Sequence, residues 1–291
     1  MRNMIGIMGG RLSDHIHSEI QSFSEKSWKT EFVKAEQIGF EVLEWVFDLH
    51  ENNPILDNDG VKEIQQVEKE HNILVNSLCA DYFMHNKLFE VPSFELEKNL
   101  KLLKKLISQC HKIDLKILEL PFVDSSSLKT EQNQDEIINN LEKILPIIEE
   151  NNVILALETD LEPNSFTNLL SKINHPNVMA NYDIGNSTAK NYDTEFELEI
   201  LKPWIVNVHI KDRNIGGYTM PLGQGDVNFD LFFSTLKKIN YSGDFVIQGA
   251  REDLDVSIIT PESTCEKYFT FVKNYIEKYE LNLMHYKRDT N

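Results

Sequence analysis

Four polar residues stand in runs that are otherwise apolar. Glu158 closes Val153–Glu158, Asp183 closes Asn177–Asp183, His209 lies within Ile205–Ile210, and Gln248 closes Asp244–Gln248. Such runs read as strands buried on both faces, where a polar side chain needs a partner. Alternation sorts their faces. Val206, Val208 and Ile210 share one face, which leaves Asn207, His209 and Lys211 on the other. By the same parity Glu158 groups with Ile154 and Ala156, and Asp183 groups with Asn181. Two carboxylates, an imidazole and an amide oxygen at one end of neighbouring strands form a ligand set for one divalent ion. Mn2+, Zn2+, Mg2+ and Co2+ all suit it, and two carboxylates balance the ion's charge, which offsets the cost of burying them. Each residue also has an ordinary reading. A lone strand histidine is more often a satisfied core residue, Glu158-Thr-Asp160 suits a solvated strand end, and Asp183-Ile-Gly-Asn186 has turn chemistry. Their joint placement favours a site, provided the strand register holds to one residue.

The elements that position these residues follow from apolar periodicity. Strands are expected at Met4–Met8, Phe40–Phe47, Ile73–Cys79, Leu115–Leu120, Val153–Glu158, Asn177–Asp183, Ile205–Ile210 and Asp244–Gln248. Helices are expected at about 25–38, 58–71, 94–113, 131–151, from Pro163, 194–201, 228–239 and from Pro261. In the helix at 94–113, Leu96, Leu100, Leu103, Ile107 and Cys110 fall on one face. Eight strand–helix units imply a parallel α/β architecture, a (β/α)8 TIM barrel in a single domain over residues 1–291, with its site at the strand C-termini. A doubly wound sheet is the alternative, but Gly6-Ile-Met-Gly-Gly10 matches neither the dinucleotide nor the P-loop pattern.

The chain has 29 Lys+Arg against 47 Asp+Glu, a net charge of −18, and no basic cluster. That balance argues against nucleic-acid partners and anionic membranes. Cys79, Cys110 and Cys265 lack metal-site spacing and suit a reducing compartment. No run approaches a membrane span and the N-terminus lacks a signal peptide's apolar region, so a cytoplasmic location is expected.

Ordered motifs along the chain carry a likeness. They are Ile5-Gly-Ile-Met-Gly-Gly-Arg-Leu-Ser13, Ser77-Leu-Cys-Ala-Asp-Tyr-Phe83, Leu120-Pro-Phe-Val-Asp124 and Leu157-Glu-Thr-Asp160. Asn181-Tyr-Asp-Ile-Gly-Asn186, Val208-His-Ile-Lys-Asp-Arg213 and Pro221-Leu-Gly-Gln-Gly-Asp226 follow in the same order. Over nearly its whole length the chain resembles the sugar phosphate isomerase/epimerase superfamily, the xylose isomerase-like TIM barrels. The resemblance implies a divalent-metal-dependent isomerase or epimerase acting on a small sugar or sugar phosphate, with metal ligands at Glu158, Asp183 and His209. The family's fourth ligand is a second glutamate, and here that position holds Gln248. Relatives commonly form dimers or tetramers, so homo-oligomerisation is a further implication.

The departure at Gln248 bears on mechanism, because an amide can hold a metal but cannot act as a carboxylate base. Epimerisation needs proton transfer on two faces of a carbon, whereas aldose–ketose isomerisation can use one carboxylate on one face of an enediol. Glu158 is the expected base. Gln248 tilts the reading toward isomerisation or toward another acid/base partner, for which Glu119, Asp81 and Glu252 are candidates. Lys211 suits a catalytic role or an ion pair with Asp183 or Asp212. Arg11, Arg213 and Arg251, at strand ends, suit a phosphate, and Asn186 is a further substrate-binding candidate. Glu44 is another inward candidate, which would send its neighbour Trp45 outward. Trp45 and Phe83 lie near the mouth, with core packing the commoner role for Trp45. Gly216, Gly217, Gly223 and Gly225 mark a flexible loop or a lid.

Other functional classes compete. A barrel that keeps the pocket without turnover would be an accessory sugar-binding protein. A dehydratase or lyase would share the enolate chemistry. An endonuclease IV-like phosphodiesterase needs several histidines on zinc, yet of the nine histidines only His209 falls in an expected strand, with His50 and His85 in following loops.

Overall fold

In a computed structural model, residues 3–13, 22–48, 52–251 and 260–281 are described. Glu252 and His50 lie outside them. Eight parallel strands close a barrel: Ile5–Met8, Val42–Val46, Ser77–Cys79, Ile117–Phe122, Ile154–Thr159, Val178–Asp183, Ile205–Ile210 and Asp244–Ile247. Each pairs with its neighbours in the chain, and the eighth pairs with the first. This is the (β/α)8 barrel expected from the periodicity, and the closed order excludes the doubly wound alternative.

Helices face the strands from outside, and their ends follow local chemistry. Asp57 accepts from the amides of Asp59 and Gly60 to open Asn58–His71, and Thr130 opens Glu131–Leu141. Pro163 and Pro261 sit in the first turns of Pro163–Ile173 and Pro261–Lys278. Asn72, Asn152 and Asn174 end helices in the left-handed conformation that asparagine tolerates better than most residues. The helix expected at 131–151 is two helices, Glu131–Leu141 and Leu145–Asn151. Pro146 explains the break, since it suits a helix start and cannot continue a ladder.

Two apolar compartments result. The larger packs the outer strand faces against the helices, while Met8, Val46, Cys79 and Val246 form a small cluster of their own. Trp45 faces outward, T-shaped against Trp28, and its Nε1 donates to Asn53 at 2.9 Å. Phe83 is buried against Tyr82 and belongs to the outer core. At the opposite end, Asp244 accepts from the Met4 amide at 3.1 Å and from Asn76, which ties the first and eighth strands to the residue leading into the third. Among the described residues no helix is long and apolar enough to cross a membrane.

Candidate metal centre and substrate cavity

The strand register delivers the polar residues to one place. Asp183 pairs with His209, Val246 with His209, Pro121 with Glu158, and Cys79 with Glu119. Glu158, Asp183 and His209 are all buried. One ligand atom from each lies within 4.8 Å of the others. Among the described residues a second such group is Glu44, Glu119 and His209. The imidazole thus stands between two pairs of carboxylates.

Glu158 is held at both oxygens. Asn186 Nδ2 donates to Oε1 at 2.6 Å and Asn181 Nδ2 donates to Oε2 at 2.9 Å. Burial alone would raise this carboxyl, but the hydrogen bond and charge of His209 outweigh it and hold Glu158 at about 2. Asp183 ends the sixth strand and caps the short helix Ile184–Ala189 by accepting the Asn186 amide at 2.8 Å through Oδ1. Its buried Oδ2 has no hydrogen-bond partner, and the nearest cation is Lys211 Nζ at 3.5 Å. Burial raises the Asp183 carboxyl, against the pull of Lys211. The turn chemistry of Asp183-Ile-Gly-Asn186 is therefore real, and it serves the site.

His209 has its Nδ1 3.4 Å from Glu158 Oε2 and its Nε2 2.8 Å from Glu44 Oε2 and 3.1 Å from Glu119 Oε2. Burial would lower the imidazole's proton affinity, but Glu119 and Glu44 drive it well above the ordinary histidine range. Burial pushes the Glu119 carboxyl up, only partly opposed by His209. Glu158 is lowered by hydrogen bonds from His209 and Glu119 and by the charge of His209, with Lys211 adding least, whereas the charges of Glu158 and Glu44 add to the rise of Glu119.

The donor set fits a divalent ion. Two carboxylates and an imidazole converge, one carboxylate oxygen is buried without a hydrogen bond, and the chemistry is oxygen-rich. Gln248 meets this group through Lys211. Its Oε1 accepts from Lys211 Nζ at 3.2 Å. Lys211 faces Asp183 and not Asp212, whose carboxylate is committed to the amides of Gly223, Gly225 and Val227. Gly185 makes room for the lysine: a Cβ there would meet Lys211 Cγ at 2.9 Å.

A cavity of about 340 Å³ opens above this floor, lined by Asp81, Glu119, Glu158, Lys211, Arg213 and Gln248 among others. A neighbouring cavity of about 220 Å³ shares Asp124, Asn186 and Arg213 and adds Asp160 and Lys190. Arg213 donates to Asn186 Oδ1 at 2.8 Å and to the Gly217 carbonyl at 2.9 Å. Arg11 and Arg251 line neither cavity. Arg11 Nε donates to the Gly249 carbonyl at 3.1 Å, and Arg251 donates to the carbonyls of Ser13 and Gly10. Their position at strand ends brings these two guanidiniums to backbone carbonyls of neighbouring loops.

The glycine-rich loop holds a short hairpin, Asp212–Arg213 with Thr219–Met220. Its base is pinned by Asp212, and a Cβ on Gly225 would meet Asp212 Oδ1 at 2.2 Å. Tyr218, 88% exposed, and Thr219 stand at the cavity rim. Sequence parity had no means of finding Tyr218, because the hairpin leaves no apolar pattern. Glu119 could have been placed by extending the parity argument to its strand, since it shares a face with Ile117. His85 lies in a single helical turn, Tyr82–His85, not in a loop.

The family described as "Xylose isomerase-like TIM barrel" matches residues 32–263. The chain is 26% identical over 231 residues to L-ribulose-5-phosphate 3-epimerase UlaE of Shigella flexneri serotype 5b (strain 8401), covering 76% of this chain and 81% of that protein. Among solved structures, an L-ribulose 3-epimerase superposes with a TM-score of 0.77 at 14% identity, covering 96% of each chain. A D-allulose 3-epimerase from Methylomonas sp., in complex with D-allulose, superposes with a TM-score of 0.73 at 15% identity, covering 94% of this chain and 97% of that one.

Proposed function

The chain belongs to the xylose isomerase-like TIM-barrel family, and we propose that it is a divalent-metal-dependent isomerase or epimerase of a small sugar or sugar phosphate, working through an enediolate with Glu158 as base. The observation that carries this reading is the convergence of Glu158, Asp183 and His209, with Glu158 lining an open cavity. Glu158, Asp183 and His209 Nδ1 would hold the ion, with the Gln248 amide oxygen as a neutral fourth ligand. When bound, a divalent ion polarises a substrate carbonyl and offsets the charge of the enediolate.

The chain's own residues supply the rest. Glu158 stays ionised and is fixed at both oxygens by Asn181 and Asn186, so it can accept the proton from the carbon beside the carbonyl. Lys211, steered by Gln248 and Asp183, places an ammonium where a substrate oxygen gains negative charge. Arg213 and Asn186, on the wall common to both cavities, would bind the distal hydroxyls or a phosphate. With an amide at 248, the arrangement supports proton shuttling by Glu158 along one face. Two-face epimerisation would need a different second acid, and Asp81 and Glu119 are the described carboxylates of the candidate set that line the cavity.

The test is solvent exchange. Protein with Mn2+ is incubated in D2O with free and phosphorylated ketopentoses and ketohexoses, and deuterium beside the carbonyl is read by proton NMR. Incorporation into at least one substrate is expected. Sugar binding without exchange on any of them would contradict the enzyme reading and favour an accessory sugar-binding barrel.

A further inference from the structure

Glu44 and Glu119 are each 0% exposed, and the proposed chemistry uses neither as a ligand. They come from the second and fourth strands and reach His209 on the seventh. Glu44 Oε2, Glu119 Oε2 and His209 Nε2 have no hydrogen-bond partner other than one another, at 2.8 and 3.1 Å from the ring nitrogen. Their outer oxygens face other groups. Asn207 Nδ2 donates to Glu44 Oε1 at 3.2 Å, and the Cys79 thiol stands 3.5 Å from Glu119 Oε1 and 3.3 Å from Asp81 Oδ1. On the other edge of the ring, Asn181 Nδ2 lies 3.2 Å from Nδ1. An amide nitrogen only donates, so of the two neutral tautomers the one with its proton on Nε2 suits this contact.

We infer that Glu44 and Glu119 are positioning residues: they hold the N–H of His209 at Nε2 and so aim the Nδ1 lone pair at Glu158 and Asp183. The inference rests on the metal reading above. An imidazole that ligates through one nitrogen is oriented by what its other nitrogen donates to. Here two acceptors from different strands fix the ring, so it can neither flip nor exchange tautomers without leaving a buried N–H facing another donor or a carboxylate without one. The two acidic groups that share His209 then have different tasks. Glu158 and Asp183 bind the ion together with Nδ1. Glu44 and Glu119, at Nε2, aim the ring.

Glu44→Gln and Glu119→Gln are the variants of choice, because the amide keeps the volume while its NH2 can turn toward Nε2 and reverse the tautomer. Zn2+ and Co2+ binding are measured by calorimetry on the whole chain, together with the Co2+ visible spectrum and the 15N shifts of the His209 ring in the Zn2+ form. Wild type is expected to bind one ion with Nε2 protonated. Each variant is expected to bind about 10- to 100-fold more weakly, with an altered Co2+ spectrum, at whatever thermal stability it retains. Variants with wild-type affinity, spectrum and 15N shifts would overturn the positioning role and leave the metal reading intact. Two ions per wild-type chain would overturn it by making Glu44 and Glu119 ligands themselves. No ion on wild type would overturn both readings.

Discussion

Lys211 Nζ donates to Gln248 Oε1 at 3.2 Å while Asp183 Oδ2 stands 3.5 Å from the same nitrogen. One ammonium thus joins residues at the C-terminal ends of the sixth, seventh and eighth strands. The amide at 248 meets this ammonium without neutralising it.

Substituting Gln248→Glu should therefore do two things. The new carboxylate adds an anionic ligand, and Mn2+ affinity should rise about tenfold, or about 1.4 kcal/mol, after competition from Lys211. It also adds a carboxylate acid/base, and epimerised product should increase relative to isomerised product. Calorimetry and NMR of the product sugars measure both. Unchanged affinity and product ratio would show that position 248 lies outside the working site.

Glu158→Gln should reduce deuterium exchange into the substrate by at least about 100-fold, the ordinary worth of a positioned general base. Asn186→Ala removes the 2.6 Å hydrogen bond to Glu158 Oε1 and should cost about tenfold. Native turnover in Glu158→Gln would remove the base assignment.

The arginines divide into two kinds. Arg213→Ala should raise KM for a phosphorylated ketose by about tenfold or more, with a smaller change for the free sugar. Arg11 is buried and bonded to the Gly249 carbonyl. Its replacement by Ala should lower stability by about 2 kcal/mol and leave KM unchanged. Steady-state kinetics and urea unfolding on the two variants separate these roles, and exchanged phenotypes would reverse the assignment.

Stability should respond to pH through Glu197, outside the site. Burial raises its carboxyl from 4.5 to about 7, against hydrogen bonds from Ser187 and Tyr182 that lower it. Between those values the folded chain keeps a proton that the unfolded chain has lost. The contribution is complete below the unfolded value and disappears as pH rises toward the folded one. The span is worth about 3 kcal/mol at most. Urea unfolding at pH 5 and pH 8 should show a smaller loss for Glu197→Gln than for wild type. An equal loss in both would place the titration elsewhere.

The barrel is legible because its strands announce themselves by short apolar runs, and parity alone puts Glu158, Asp183 and His209 on one side. Glu44 and Trp45 illustrate the strength of that rule, since adjacent strand residues cannot share a face and only Glu44 turns inward. What lay beyond reach depends on loops. The hairpin around Tyr218, the grip of Asp212 on three amides, and the turning of Arg11 and Arg251 onto carbonyls follow from backbone paths that carry no periodic signal. The division at Pro146 was readable from its chemistry, but the apolar stripe on both sides concealed it.

The most direct measurement is the metal content of the purified protein, by elemental analysis after incubation with excess Mn2+ and removal of free ion. About one ion per chain is expected for wild type, with loss of most of it in Asp183→Ala and His209→Ala. No bound ion on folded wild-type protein, or full occupancy in both variants, would contradict a metal centre built on Glu158, Asp183 and His209.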